Sequence, residues 1–172
     1  WLETIGGHNW IAKRVKDDEY VVRPNQFGRD SFDFDDAENG GKEHLCSKGL
    51  RKFVEDNRLA LDRDGKFNPR LAFGSHSDSD HVYNTPRAWY RLRYFNPHYT
   101  DWDNGIKYTP ESDDLPWSLV PERKITLNDV KHILSSHYQG TIYDPYGKKG
   151  TAETSSRYRP IGINRTSFLS CS

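Results

Sequence analysis

Apolar and polar positions alternate from the first residue. WLETI, residues 1–5, and WIAKRV, residues 10–15, read as two strands. Gly6-Gly7 lies between them, a pair able to adopt the positive φ angles of a two-residue hairpin turn. The polar turn Lys16-Asp17-Asp18 leads into a third run, residues 19–23, which Pro24 stops. A three-stranded meander is expected, with Asn25 just past its last strand, where a side chain is held rigidly and still reaches a cleft. The period of two continues at Phe32 and Phe34, which alternate with Ser31, Asp33 and Asp35. These lie in an acidic, flexible segment, residues 26–41, that Asn39-Gly40-Gly41 closes as a loop.

Beyond this point the period changes. Leu50, Phe53, Val54 and Asn57 share one face, which predicts a helix over residues 47–59 with Ser47 as its cap. Residues 62–69 read as a loop. Thr85-Pro86 is a helix start, a hydroxyl followed by proline at the first helical position. That helix should turn Ala88, Trp89 and Leu92 inward and end before Asn96-Pro97. Residues 110–121 are expected as a long irregular connection. A helix over residues 126–138 is the clearest of all. Thr126 and Asp129 have capping-box spacing, Leu127, Val130, Ile133, Leu134 and His137 form its apolar stripe, and Gly140 suits its exit. Tyr158, Ile161 and Ile163 suggest a strand over residues 157–169, broken by Pro160. The fold class read from this order is α+β, with a mainly antiparallel sheet and at least three helices in a single partial domain over residues 1–172.

Composition narrows the function classes. The 172 residues carry 25 acidic and 25 basic side chains, net charge zero, with no charge block that would point to nucleic acid or a membrane surface. Apolar residues make up 34% and aromatics 13%, so core volume is expected from Trp, Tyr and Phe more than from aliphatics. No apolar run is long enough to span a membrane and no signal peptide is visible, which favours a cytoplasmic location, with the bacterial cell surface or secretion as the alternative. Two cysteines, Cys46 and Cys171, read as free thiols and not as a disulfide framework. The chain has no methionine and opens inside a strand pattern. It therefore reads as an excised or processed piece of a longer polypeptide, and its low mean hydropathy suits either long loops or a core completed against another segment.

Candidate chemistry is sparse. His76, Asp78, Asp80 and His81 are metal-ligand types, but they crowd into six residues with no second cluster at zinc spacing, so a solvated loop is expected. Asp62, Asp64 and Gly65 open like a calcium loop, yet the glycine comes too early and no glutamate closes it. Asn164-Arg165-Thr166 fits a glycosylation acceptor, which means little without a secretory signal. Cys46 lies two residues from His44 in a Gly-flanked segment and reads as structural. No nucleophile elbow, phosphate loop or dinucleotide fingerprint occurs. No metal or organic cofactor is expected, and the residues alone show no complete catalytic set.

Several stretches taken together resemble the C69 family of bacterial dipeptidases, the dipeptidase A type. They are WLETIGGHNWIAKRV, DDEYVVRPNQFGRDSFDF, FNPRLAFGS, HVYNTPRAWYRLRYFNP, KITLNDVKHILSSHYQGTIYDPYG and RYRPIGINRTS, in order over residues 1–167. The resemblance implies an N-terminal-nucleophile hydrolase with an αββα sandwich, of which this chain would form the middle and later part. Such enzymes attack the peptide carbonyl with a cysteine that is the first residue of the mature chain, its own α-amine serving as base. Here position 1 is Trp, so the nucleophile is expected on a missing N-terminal segment, and the chain alone should be inert. The resemblance assigns Asn25 the oxyanion role, with a turn asparagine satisfying its own backbone as the alternative. It also implies a late arginine near the nucleophile, Arg165 in preference to Arg157. His8 and Asn164 are the expected substrate-facing residues. A dipeptide is the implied substrate. The alternatives are an acyl amide, such as a bile salt or penicillin, and a non-catalytic peptide-binding module. Homo-oligomer formation stays open.

Overall fold

The structure is a computed structural model that describes residues 1–60, 62–63 and 65–163. Its residues form two compact units, the first made of residues 1–76 with 116–120 and the second of 77–115 with 121 onward. The architecture is α+β, and the sheets are antiparallel.

In chain order the first unit contains β1 (Leu2–Gly6), β2 (Asn9–Lys13), β3 (Tyr20–Val21), α1 (Phe34–Glu38), β4 (His44–Cys46), α2 (Leu50–Asp56), β5 (Asp62–Arg63), β6 (Lys66–Phe67) and α3 (Pro69–Phe73). β7 (Ser118–Leu119) belongs to it as well. β1 and β2 form the expected hairpin, but its turn is Gly7-His8, because Gly6 still pairs with Asn9 after an irregularity between Thr4 and Gly6. Gly6 and Gly7 take φ of 137° and 56°, which is why the bulge and turn sit on glycines.

The expected meander is not formed. The far edge of β2 is taken by β4, with Ile11 opposite Cys46, and β3 pairs instead with β7, Tyr20 opposite Leu119. Phe34 is not in a strand. The Asp33 carboxylate accepts from the Asp36 N–H and caps α1, so the same acidic run that alternates with phenylalanine starts a helix. Phe32 makes an isolated bridge to Phe67.

α2 is shorter than predicted and is entered through Gly49 at φ 79°, not capped by Ser47. The Ser47 hydroxyl is committed to the sheet, accepting from Trp10 N–H at 3.2 Å. The expected loop at 62–69 is the β5–β6 hairpin, turned at Gly65 (φ 74°), after which Asn68 caps α3. Ile11, Phe32, Phe34, Leu50 and Val54 form the core of this unit.

The second unit contains α4 (Asp78–Tyr83), α5 (Thr85–Phe95), α6 (Leu127–Leu134) and α7 (Ala152–Ser155). The segment around His76–His81, expected as a solvated loop, holds α4. Ser77 and Asp80 form a capping box, so residues that look like ligands serve as cap chemistry. α5 ends at Phe95, before Asn96 as expected, with Ala88, Trp89 and Leu92 buried, but Thr85 is its first helical residue and not its cap: Asn84 holds that place and makes no side-chain cap bond.

α6 starts as expected, with Thr126 and Asp129 in a complete capping box, but it ends at Leu134. Ser135 and Ser136 turn their hydroxyls back onto the Lys131 and Ile133 carbonyls at 2.8 Å, and Tyr138 takes φ 69°, so the chain leaves the helix before His137. Leu127 is exposed and Ile133 buried, a narrower stripe than predicted. Residues 157–163 run as bends and turns, not as a strand. Their ladder donors are used elsewhere, since Ile161 and Gly162 N–H both donate to the Ser136 carbonyl. The remainder of that expected strand lies outside the described residues. Among the described residues no helix is long and apolar enough to cross a membrane.

Candidate functional site

The turn that carries Asn25 is built in the first unit by side chains more than by a backbone ladder. Pro24 has a fixed φ and no N–H to donate, and it ends the extended run that follows β3. The Gln26 N–H donates to the Pro24 carbonyl at 2.7 Å, closing a three-residue turn centred on Asn25. Asn25 itself is exposed, and its carboxamide makes no hydrogen bond among the described residues. The turn therefore closes without an Asx bond from Asn25.

The two stems of this turn converge on one carboxylate. Glu3, on β1, is 5% exposed. Its Oε1 lies 2.5 Å from Arg23 Nη1 and accepts from the Gly28 N–H at 3.0 Å. Its Oε2 faces Arg29 Nε at 3.6 Å. Arg29 is fully buried, donates from Nη2 to the Trp1 carbonyl at 3.4 Å, and lies 4.5 Å from the centre of the Trp117 ring. Arg70, from α3, donates to the Gly28 carbonyl through Nε at 3.0 Å and Nη2 at 2.5 Å.

Burial pushes the Arg29 guanidinium down to about 10 against the opposing pull of Glu3, so it stays charged at neutral pH. Burial and the charge of Arg29 also lower the Lys13 amine, which sits over the same Trp117 ring. Sequence reasoning missed this network. Its one local signal is a carboxylate at Glu3, sharing a strand face with Trp1 and Ile5.

The other predicted site residues are placed as follows. His8 is exposed at the tip of the β1–β2 hairpin, and no hydrogen bond joins it to Asn25 among the described residues. Arg157, in the second unit, pairs with Glu111 at 2.7 Å and stacks on Tyr158 at 5.5 Å. Asn164, Arg165 and Cys171 lie outside the described residues.

Cys46 carries a free thiol that burial pushes up, the opposite of activation. Its neighbour His44 has Nδ1 engaged by Asp36 Oδ2 at 3.1 Å and packs edge-on against Phe32. The His44 backbone N–H binds the same oxygen at 2.7 Å. This arrangement fastens β4 to α1.

Among the described residues no group of three or more His, Cys, Asp or Glu is placed to hold a metal ion. Cavities among the described residues include one in each unit. One of about 560 Å³, in the first unit, is lined by Lys13, Asp33, Glu43, His44, Arg51 and Lys66. The other, of about 320 Å³ in the second unit, has walls that include Trp89, Trp102, Tyr143 and Lys149.

The family model for peptidase family C69 matches residues 1–171. A protein of Bifidobacterium longum (strain NCC 2705) named "Dipeptidase" is 57% identical over 172 residues, covering 98% of this chain and 32% of that protein. "Probable dipeptidase A" of Streptococcus pyogenes serotype M3 (strain SSI-1) is 52% identical over 168 residues, 97% of this chain and 34% of its own length. "Dipeptidase A" of Lactobacillus helveticus is 45% identical over 165 residues, 96% of this chain and 32% of its own length. The chain spans about a third of the length of the curated relatives it matches. With the family model matched over residues 1–171 and the motifs falling in one continuous order, the chain belongs to peptidase family C69.

Proposed function

We propose that the polypeptide containing this chain is a cysteine-dependent dipeptidase, and that Asn25 donates a hydrogen bond to the oxyanion formed when the scissile carbonyl is attacked. The observation that carries this reading is the exposed, uncommitted carboxamide of Asn25 on a turn that Pro24 and the Glu3 carboxylate make rigid. As the nucleophile adds to the carbonyl carbon, negative charge moves to the carbonyl oxygen. A donor already in place needs no reorganisation, and one such donor is worth roughly 3–4 kcal/mol. The relatives named above are dipeptidases by name, which favours a dipeptide as substrate.

The nucleophilic thiol is assigned to a part of the polypeptide outside these residues. Cys46 is a poor candidate, because its thiol is pushed up by burial and its neighbouring imidazole is tied to Asp36. The guanidinium beside the nucleophile is assigned to Arg165, since the charge of Arg157 is already met by Glu111. His8 and Asn164 are the proposed substrate-facing residues.

Dipeptide hydrolysis by the full-length polypeptide tests the reading. Asn25→Ala is expected to lower kcat about a hundredfold or more, while Cys46→Ser leaves turnover near the starting value. Near-normal kcat in Asn25→Ala, or loss of turnover in Cys46→Ser, overturns it. Turnover of acyl amides with none of dipeptides replaces the substrate class.

A further inference from the structure

We infer that Glu3 is the positioning residue for Asn25, a single buried carboxylate oxygen clamping both ends of the turn that presents the carboxamide. The inference rests on the oxyanion role of Asn25 and adds how that role is held in place. Arg23 precedes Asn25 by two residues and Gly28 follows it by three, and both reach the same oxygen, Glu3 Oε1, at 2.5 and 3.0 Å. One atom on β1 thus ties the entry and the exit of the turn.

Each neighbouring group reinforces the clamp. Gly28 has its N–H on Glu3 and its C=O on Arg70, so both backbone polar groups at the exit are fixed by side chains from two other elements. A Cβ at Gly28 would collide with Arg23 Nη1, so the glycine is what lets the guanidinium cross the exit stem to reach Glu3. On the far side of the carboxylate, Arg29 Nε lies 3.6 Å from Oε2, an ion pair without a hydrogen bond, while the guanidinium lies over Trp117. Asn25 contributes nothing to this lattice of contacts. The structural investment is in the stems, and the tip is left exposed.

A donor displaced by a fraction of an ångström loses most of its value in the transition state while substrate binding is little affected. Loosening the clamp should therefore appear in kcat and not in KM. The test is dipeptide turnover by the full-length polypeptide carrying Glu3→Gln, Arg23→Gln or Gly28→Ala, each alone and combined with Asn25→Ala. Glu3→Gln keeps an acceptor for Gly28 and drops the charge that holds Arg23.

The expected result is a fall in kcat of about tenfold or more for each single change, with KM within about twofold. On top of Asn25→Ala, each change adds less than about twofold, because the group being positioned is already gone. Arg23 reaches the surface, so Arg23→Gln keeps the test open if the Glu3 variant does not fold. Losses that multiply with that of Asn25→Ala, a rise in KM at constant kcat, or unchanged turnover in Glu3→Gln and Arg23→Gln overturns the inference and leaves the reading of Asn25 standing. Normal turnover in Asn25→Ala itself overturns both.

Discussion

The core of the first unit is aliphatic and phenylalanine, Ile11, Leu50, Val54, Phe32 and Phe34, and beside it a buried glutamate meets two arginines. The second unit is filled by rings carrying polar tips. Tyr90, Tyr138 and Tyr158 form a chain of edge contacts at 5.5 and 6.3 Å, with Trp89 and Trp102 edge-on at 6.5 Å. Two of these hydroxyls donate to backbone carbonyls, Tyr138 Oη to Arg159 O at 2.8 Å and Tyr90 Oη to Gln139 O at 3.1 Å, and that of Tyr158 donates to the Glu111 carboxylate at 2.7 Å. Burial pushes the Tyr90 phenol up to about 12 and raises Tyr138 further, so both remain donors throughout the useful pH range. In the first unit polar side chains hold a loop on which function is proposed. In the second they hold backbone that no strand or helix satisfies. The difference teaches that low apolar content is compatible with a packed fold in two distinct ways.

The largest expected effect breaks the first unit's side of this contrast. Glu3→Ala removes the carboxylate that faces the buried Arg29 and should cost about 3–5 kcal/mol, read from urea unfolding. A cost below about 1 kcal/mol would mean that burial alone holds β1 to the 23–29 segment. The second unit is tested by Tyr138→Phe, which keeps the ring and removes the hydroxyl from Arg159 O. A loss of about 1 kcal/mol is expected by the same measurement. No loss would make the rings alone sufficient.

The smallest effect separates the units by acid. Three backbone N–H groups, that of Glu43 foremost, with the His44 side chain hold the Asp36 carboxyl down to about 2, and Arg123 with Thr126 and Tyr94 holds Asp129 lower still. A carboxyl lowered by folding stabilises the fold above its unfolded value near 4, and that contribution is lost as pH falls through the folded value. Thermal unfolding between pH 6 and pH 2 should therefore show a declining Tm. Asp36→Asn and Asp129→Asn should each flatten the decline, at the cost of a few degrees at neutral pH, roughly. A profile unchanged in both variants would place the acid sensitivity elsewhere.

What the sequence revealed follows the range of the interactions involved. α6 starts where Thr126 with Asp129 say it should, because capping is settled within four residues, whereas α5 starts within one residue of its expected place but with Asn84 at the cap, no side-chain cap bond, and Thr85 already inside the helix. α1 and α4 were misread because Asp33, Ser77 and Asp80 are cap residues that also look like strand-edge or ligand residues, and only the bonds they make decide between these roles. The partner of β3 lies almost a hundred positions away at β7, a pairing no local period contains. At the candidate site Asn25 could be singled out from Pro24 and the strand before it. The Glu3 clamp could not, since its meaning depends on Arg23, Gly28 and Arg29 arriving at one carboxylate.

The absent side chain at Gly28 sets how this segment can diverge. Any residue other than glycine there displaces Arg23, and a displaced Arg23 leaves a carboxylate with too few donors. A change at position 3, 23 or 28 alone therefore disturbs a contact that the other two share.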